Sequence, residues 1–295
     1  SSGDDADHAY ILDTVDDLRG LARLVANGND FEGKYIKLTK STYDLNNCWI
    51  PIGFSYDVGG SVTPFRGHIA ASNKTTITNL GFTYGIAGIT SDIASAVRDQ
   101  ESIGFFGKLD GATVEGITIQ TGNNTVSGRE YAGILAGYAN DSVIKNCTVT
   151  GNVRGNGNRS TSSQRPTYVG GIVGFIESSS ASNDDRDSVI EDCKATDVAV
   201  YISENQNTIG GVGGIAGYAK NTIIADSEVK TNDNSGNHIY GDDAYVGGIV
   251  GIQEYSDLYN VKMVSGSIGS NSSYAVGGLV GGYNRGQLKV GQFSG

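Results

Sequence analysis

The sequence is short of proline, cysteine, histidine and net positive charge, and each shortage excludes a class of protein. Only 3 of the 295 residues are proline and 3 are cysteine. Few prolines exclude collagen and a proline-rich linker, and three cysteines are too few for a dense disulfide framework. The formal net charge is −11. This charge and the absence of any basic run argue against a nucleic-acid partner.

Long apolar runs are also missing, and none reaches the roughly 18 residues that a membrane helix needs. The chain does not begin with Met and shows no signal peptide, which is typical of a mature or trimmed chain. Its start, SSGDDAD, is small and acidic. We interpret residues 1–9 as a flexible acidic tether, like the one that follows the lipidated cysteine of a bacterial lipoprotein. An arbitrary chain boundary is the alternative.

Glycine, in contrast, is abundant at 44 residues, and much of it lies in an internal repeat. The segment YAGILAG (131–137) recurs as YVGGIVG, GVGGIAG, YVGGIVG and AVGGLVG, with a divergent first copy, SIGFFG. The last glycine of each copy gives the anchors, which are Gly107, Gly137, Gly174, Gly217, Gly251 and Gly281. Repeats about 30 residues long indicate a solenoid, in which each unit buries its apolar face against its neighbours.

Counting forward from each anchor aligns columns of one chemical type. Seven residues on, with a nine-residue insertion in the third full copy, lie Val114, Ile144, Ile190, Ile224, Leu258 and Leu288. Ten residues on lie Ile117, Cys147, Cys193, Ser227, Val261 and Gly291. Apolar columns that alternate with polar ones predict short, half-buried strands that stack in parallel, one coil on the next.

An amphipathic helix is predicted over residues 14–27. Leu18, Leu21 and Val25 fall on one face, Thr14 is the predicted N-cap, and Gly28 is the predicted stop. A solenoid must cover the apolar end of its first coil. We therefore expect residues 10–100 to form an N-terminal cap helix followed by early irregular coils.

The pattern GGIVGxxxxxxIxxC resembles the GLUG repeat of bacterial surface proteins, which include adhesin-like proteins and the non-catalytic repeat region of immunoglobulin A peptidases. The stretches NDSVIKNCTVTG (140–151) and DSVIEDCKATD (187–197) carry the resemblance. The segment TVDDLRGLARLVANGNDFEGKYIKLT (14–39) resembles the region that precedes such repeats. The resemblance implies an all-β, right-handed parallel β-helix with an N-terminal capping helix. Residues 101–295 would be GLUG-type coils, continuous with the cap as one solenoid.

The residues that carry chemistry do not form a known catalytic motif. The histidines, His8, His68 and His238, are too far apart for a zinc motif such as HExxH. Cys147 and Cys193 occupy an inward column, where a thiol is a small apolar group. The Gly-rich turns lack the following helix and lysine of a phosphate loop. We predict no metal, no cofactor and no enzyme activity.

Two groups of residues leave alternatives open. Asp184, Asp185 and Asp187 lie in one insertion, and Asp242 and Asp243 in another. They are interpreted as solvated loops, as a calcium site or as a catalytic carboxylate pair.

Tyr138, Phe175 and Tyr218 each follow an anchor directly. This column is either a packing ladder or an outward platform for sugar rings.

The long polar loops at 152–167 and 230–243 interrupt the repeat and are predicted to lie on one edge of the solenoid, since insertions in repeat proteins map to loops on one face. Arg, Tyr, Asn and Asp side chains at such an edge suit a polar ligand. The candidate binding residues are Arg154, Asn158, Arg159, Arg165, His238, Tyr240, Asp242 and Asp243.

These observations predict an exported, non-catalytic adhesion module, an outer-membrane-anchored lipoprotein that recognises a host or environmental glycan or glycoprotein. Any membrane contact would be through the lipid anchor alone. A β-helix carbohydrate-active enzyme, either a polysaccharide lyase or a glycosidase, and a passive surface spacer remain the alternatives.

Overall fold

The computed structural model describes residues 2–54, 61–82, 101–156, 165–180, 188–202, 209–231, 238–270, 272–289 and 291–293. In these residues a strongly curled sheet of 21 strands and a sheet of six short strands enclose one apolar core. The paired strands run parallel, so the chain winds in successive coils of a solenoid-like, all-β fold. Within the described residues, no helix is long and apolar enough to span a membrane.

The N-terminal region contains the helix α1 and four strands. They are β1 (Tyr10–Leu12), α1 (Val15–Ala26), β2 (Tyr35–Leu38), β3 (Thr42–Asp44) and β4 (His68–Thr78). The first repeat coil contains β5 (Ser102–Ile103), β6 (Phe106–Asp110) and β7 (Thr113–Gly128). β4 pairs with β2 on one side and β7 on the other, so the N-terminal region and the repeats share one sheet.

The later coils repeat this order. The second contains β8 (Tyr131–Gly133), β9 (Ala136–Asn140), β10 (Val143–Lys145) and β11 (Thr148–Gly155). The third contains β12 (Tyr168–Gly170), β13 (Val173–Glu177), β14 (Ser188–Glu191) and β15 (Lys194–Ile202). The fourth contains β16 (Gly210–Gly213), β17 (Ala216–Lys220), β18 (Thr222–Ala225), β19 (Glu228–Lys230) and β20 (Ile239–Gly241). The fifth contains β21 (Ala244–Gly247), β22 (Val250–Tyr259), β23 (Lys262–Ser265) and β24 (Ile268–Gly269). The sixth contains β25 (Ala275–Gly277), β26 (Val280–Lys289) and β27 (Gln292–Phe293).

The predicted aliphatic column is confirmed in register. Ile144 pairs with Val114 and Ile190, Ile190 with Ile224, Ile224 with Leu258, and Leu258 with Leu288. The nine-residue insertion therefore lies where it was predicted. The five members from Val114 to Leu258 are fully buried, but Leu288 is 46% exposed. The prediction that Leu288 is buried is wrong, because it lies in the last coil and no described residue stacks on it.

The cysteine column is also inward. Cys147 and Cys193 are fully buried, and both are free thiols. The backbone N–H of Lys194 donates to the carbonyl of Cys147 at 2.8 Å, so the two cysteines lie in adjacent coils. A hydrogen bond between the thiols, with burial, raises the pKa of Cys193 well above its usual value.

A left-handed backbone turn precedes this column in each of the first five coils. The turn residues are Gly116, Asn146, Asp192, Asp226 and Asn260, with φ between 48° and 72°. Glycine, asparagine and aspartate tolerate this region because a short or missing side chain avoids the usual clash with the backbone. The column therefore forms a sharp corner at the same place in each of these coils.

The paired glycines of the repeat have a different role, which is close packing. Gly171 does not have a positive φ, but a Cβ there would lie 2.2 Å from the carbonyl oxygen of Gly214 in the next coil. Only glycine allows the backbones to approach this closely.

Helix α1 follows the sequence prediction closely. Thr14 is the N-cap, and its hydroxyl accepts a hydrogen bond from the backbone N–H of Asp17 at 3.1 Å. The Asp17 carboxylate accepts the backbone N–H of Thr14 at 2.9 Å, which completes a capping box. The apolar face of the helix, including Leu18 and Leu21, belongs to the same core as the strands.

The acidic N-terminal segment lies against the sheet. The backbone N–H of Tyr35 donates to the carbonyl of Gly3 at 2.8 Å, and the Lys34 ammonium binds Asp4 at 2.5 Å. These contacts hold residues 3–4 beside β2. The division of the chain into tether, cap and repeats stays a prediction.

Candidate functional site

The predicted binding edge is partly assembled by a row of outward side chains. Arg154 on β11 is in register with Tyr201 on β15, which is in register with Tyr240 on β20. The Nε atom of Arg154 is buried and has no hydrogen-bond partner among the described residues. The sequence analysis missed Tyr201. Its outward direction could have been predicted, because it directly precedes the apolar Ile202 and side chains alternate along a strand.

The other predicted residues of this edge have separate environments. The His238 ring packs edge-to-face on Tyr240 with 5.6 Å between ring centroids, and the Tyr240 hydroxyl donates to Asp242 at 2.8 Å. Asp243 has a φ of 51° and lies in the turn between β20 and β21. Asn158 and Arg159 lie outside the described residues.

That both long loops lie on one edge stays a prediction, because residues 157–164 and 232–237 lie outside the described residues. The described residues that flank the two loops lie at different positions in the coil. Residues 157–164 come after Gly155, which is in register with Ile202 at the end of β15. Residues 232–237 come before Ile239, which is in register with Val200, ahead of that end. The repeat pattern could not show this, because a register shift between Val149 and Gly151 leads into a further strand segment of β11.

Arg165 binds two carboxylates of neighbouring coils. Its Nη1 donates to Glu101 at 3.0 Å and to Glu130 at 3.3 Å. Glu130 is 4% exposed, whereas the Glu101 side chain is 51% exposed. Burial, with the nearby charge of Glu101, raises the pKa of Glu130, and Arg165 opposes this shift only in part.

The acidic insertions give no metal-binding geometry in the part of the chain that the structure describes. Asp184, Asp185 and Asp187 lie outside it. Within it, no cluster of three or more His, Cys, Asp or Glu side chains could hold a metal ion. The calcium and catalytic interpretations of these aspartates stay untested.

A second surface is more extensive than the predicted edge. Five partly exposed aromatic side chains of the second, third and fourth coils are in mutual contact. We call them the aromatic strip, and its members are Tyr131, Tyr138, Tyr168, Phe175 and Tyr218.

Two rows make up this strip. Tyr138, Phe175 and Tyr218 are in register on β9, β13 and β17, as the sequence predicts, and Tyr131 and Tyr168 are in register on β8 and β12. The rows interleave, since the ring of Tyr168 lies 5.6 Å from that of Phe175 and 4.9 Å from that of Tyr218. The strip therefore continues across three coils.

The rows meet because the chain bends sharply between the two sheets. Gly137, next to Tyr138, faces the preceding coil, where a Cβ would lie 2.3 Å from the backbone nitrogen of Ile103. This close approach packs β9 against β5 of the preceding coil, and the rings of Tyr131 and Tyr138 lie 5.7 Å apart. The sequence analysis missed Tyr131 and Tyr168, although the first residue of each repeat motif was a usable signal.

Carboxylates orient the phenol groups of the strip. The Tyr138 hydroxyl donates to Glu177 at 2.6 Å, and the Tyr218 hydroxyl donates to Glu254. Burial is the first cause, and these hydrogen bonds the second, of a strong rise in the pKa of both tyrosines.

Burial likewise raises the pKa of Tyr131 to about 12 and that of Tyr168 to about 12. All four phenols are therefore protonated, and remain hydrogen-bond donors, at neutral pH.

Polar residues border both sides of the strip. On one side, Glu130 directly precedes Tyr131. On the other, a row with one residue per coil is in register, and it comprises Asp110, Asn140, Glu177, Lys220 and Glu254. The Lys108 ammonium lies 5.7 Å from the centroid of the Tyr138 ring and marks the N-terminal end of the strip.

Comparison with known proteins shows that the fold resembles that of one solved structure. One solved structure resembles the whole chain. It is described as "a putative immunoglobulin A1 protease" from Bacteroides ovatus, with a TM-score of 0.61 and 18% sequence identity over 99% of this chain and 76% of that one. No family model and no curated protein matches the chain. The likeness supports the solenoid-like fold, and the GLUG assignment stays a prediction.

Proposed function

We propose that this chain is a non-catalytic binding module of the bacterial cell surface and that it recognises an extracellular glycan through the aromatic strip. The observation that carries the proposal is the set of five partly exposed rings in contact across three coils. Aromatic faces pack on the apolar faces of sugars, while phenol hydroxyls and bordering carboxylates bind sugar hydroxyls. A passive spacer would not need such a surface.

The finer features of the fold belong to the same proposal. Parallel crossovers are almost always right-handed, so we propose a right-handed β-helix built of GLUG-type repeats. Helix α1 would be its N-terminal cap, because its apolar face joins the core at the start of the solenoid. Residues 1–9 would connect the module to an outer-membrane lipid anchor.

Three matched leucine variants test the proposal. Leucine keeps the apolar volume but removes the aromatic face. Phe175→Leu tests the strip, Tyr240→Leu tests the loop edge, and Tyr259→Leu is a control on another face of the coil. A glycan array and retention on immobilised polysaccharide measure binding, with thermal unfolding as the check on folding.

We expect Phe175→Leu alone to weaken binding, by about tenfold, which is the equivalent of an aromatic contact of about 1.4 kcal/mol. If Tyr240→Leu abolishes binding while Phe175→Leu leaves it unchanged, the loop edge is the site and the strip is not. A folded protein that binds no glycan contradicts the proposed function itself.

A carbohydrate-active enzyme is the second candidate, and one observation favours it. Glu130, with a raised pKa, and Glu101 contact the same guanidinium beside the strip. Glycosidases use two neighbouring carboxyl groups, one of them with a raised pKa. To decide between the candidates, bound glycans are incubated with the protein and assayed for new reducing ends. We expect no new reducing ends. The name of the structural neighbour supports no proteolytic proposal, because 18% identity relates the folds alone.

A further inference from the structure

The aromatic strip has a repeat distance along the solenoid axis. Parallel strands in adjacent coils lie about 4.8 Å apart. The rings follow this spacing, with 5.5 Å between the centroids of Tyr138 and Phe175 and 4.8 Å between those of Phe175 and Tyr218. The second row has 6.1 Å between Tyr131 and Tyr168, whose rings are parallel within 1°. In the first row neighbouring rings are nearly perpendicular, at 79° and 82°. The aromatic side chains therefore repeat in spacing from coil to coil, while the orientation of the rings alternates in that row.

The polar border has the same period. Asn140 donates to Asp110 of the previous coil at 2.8 Å, and Lys220 binds Glu177 of the previous coil at 3.3 Å. Each coil thus places one carboxylate, amide or ammonium group beside one or two rings. A ligand that repeats with the coil spacing would find an aromatic side chain and a polar group at every step.

We infer that the strip binds a linear, extended, uncharged polysaccharide of β-linked pyranoses, lying lengthwise along the solenoid axis with about one sugar per coil. The inference rests on the proposed function and names its ligand class. An extended β-linked chain advances per sugar by nearly the spacing of stacked strands, so successive sugars stay in step with successive coils. Branched or terminal sugar epitopes would meet only one step of the repeat.

Charge favours an uncharged chain over an acidic one. Three of the five residues in the polar border are carboxylates, namely Asp110, Glu177 and Glu254. Arg66 binds Asp110 and Lys220 binds Glu177, so the negative charge of the border comes mainly from Glu254. The whole chain carries a net charge of −11. Each carboxylate of a polyuronate would lie close to this border and be repelled at low ionic strength.

The length of the strip limits how many sugars can be bound. Past Tyr218 the same column continues as Ile252 and Gly282, and the Tyr168 column continues as Gly211. At the other end Lys108 replaces the aromatic residue. The aromatic contacts thus extend over three coils, which corresponds to three or four sugars.

A length series tests the inference. Cello-oligosaccharides of one to six glucose units, the matching chito-oligosaccharides and an oligomannuronate, which is β-1,4-linked but acidic, are titrated calorimetrically into the intact chain and into Phe175→Leu. For at least one of the two neutral series, we expect affinity to rise roughly tenfold or more from two to four units and then to level off. Phe175→Leu, the middle ring, should flatten this rise, and Tyr259→Leu should not. The oligomannuronate should bind more weakly than the neutral chains, and the difference should be larger at low salt.

The results that would contradict lengthwise binding of an uncharged chain can be distinguished from the result that would contradict glycan recognition itself. Affinity that is independent of length, or preference for a mono- or disaccharide, contradicts lengthwise binding but leaves glycan recognition intact. Equal or tighter binding of the oligomannuronate contradicts the preference for an uncharged chain. Absence of binding by every probe here, together with no binding on the glycan array, contradicts both proposals.

Discussion

Glu130 is a carboxylate held almost out of water beside the aromatic strip, at 4% exposure. Burial and then the charge of Glu101 raise its pKa above the usual 4.5. The folded protein therefore holds this proton more tightly than the unfolded chain does. The contribution of Glu130 to stability is full below pH 4.5 and is lost as the pH rises through its raised pKa.

Glu130→Gln should remove this dependence. The variant should match the parent at about pH 4 and become the more stable of the two toward neutrality, because glutamine has no charge to desolvate. Thermal unfolding from pH 4 to 8 measures the difference. Glu101→Gln is a second test and should weaken the dependence only in part, because the charge of Glu101 is the lesser cause of the raised pKa of Glu130. A Glu130→Gln curve parallel to that of the parent at every pH contradicts the argument.

Two glycines in different elements differ in whether a side chain could replace the hydrogen on their Cα atom. Gly20 lies within α1, and a Cβ there would meet nothing within 4 Å. Gly174 lies on β13, and a Cβ there would lie 2.5 Å from the backbone nitrogen of Ala132 and 2.7 Å from the carbonyl oxygen of Gly137. A helix interior rewards the replacement of glycine, whereas a close approach of backbones forbids it.

Alanine substitution should separate the two cases. Gly20→Ala should increase the free energy of unfolding by about 0.5–1 kcal/mol, because the unfolded chain loses freedom and the helix gains a better former. Gly174→Ala should destabilise the protein by more than about 1 kcal/mol, since rigid backbone atoms must move. Urea unfolding of both variants measures the two values. A neutral Gly174→Ala would show that the coils can separate there at little cost.

At the scale of the whole molecule, stability depends on whether a coil has neighbours on both sides. Ile224 and Leu288 occupy the same column, but Ile224 is stacked between Ile190 and Leu258 and is fully buried, whereas Leu288 is 46% exposed. Other side chains of the last coil are similarly open, with Val276 at 49% and Phe293 at 50%.

This difference in burial predicts that replacement by alanine lowers the free energy of unfolding by unequal amounts at the two positions. Ile224→Ala should reduce the free energy of unfolding by about 2–5 kcal/mol, the range for removing a buried aliphatic chain. Leu288→Ala should cost less than about 1 kcal/mol, as expected for a surface position. Denaturant unfolding measures both free energies, and the m-values of the two variants are compared with that of the parent. Equal costs would show that Leu288 is covered in solution.

The sequence by itself determined the inward columns. In a strand, every second side chain points inward, and in-register stacking repeats the same position in each coil, so residue types aligned down the repeat report directly on burial. This was enough to predict the register from Val114 to Leu288, the position of the third-copy insertion and the buried cysteine column. The capping box of α1 could be predicted because it depends only on residues three positions apart.

Only the tertiary structure decided what meets on the outside. Tyr131 and Tyr138 are seven residues apart and belong to different strands, and their rings meet because the chain bends at residues 134–135 between the two sheets. Arg165 and Glu101 are 64 residues apart and are brought together by stacking of the coils. Outward positions tolerate any polar residue, so the sequence pattern carries no record of these contacts. The path of the chain at the corners sets them, and insertions and register shifts change that path without disturbing the core.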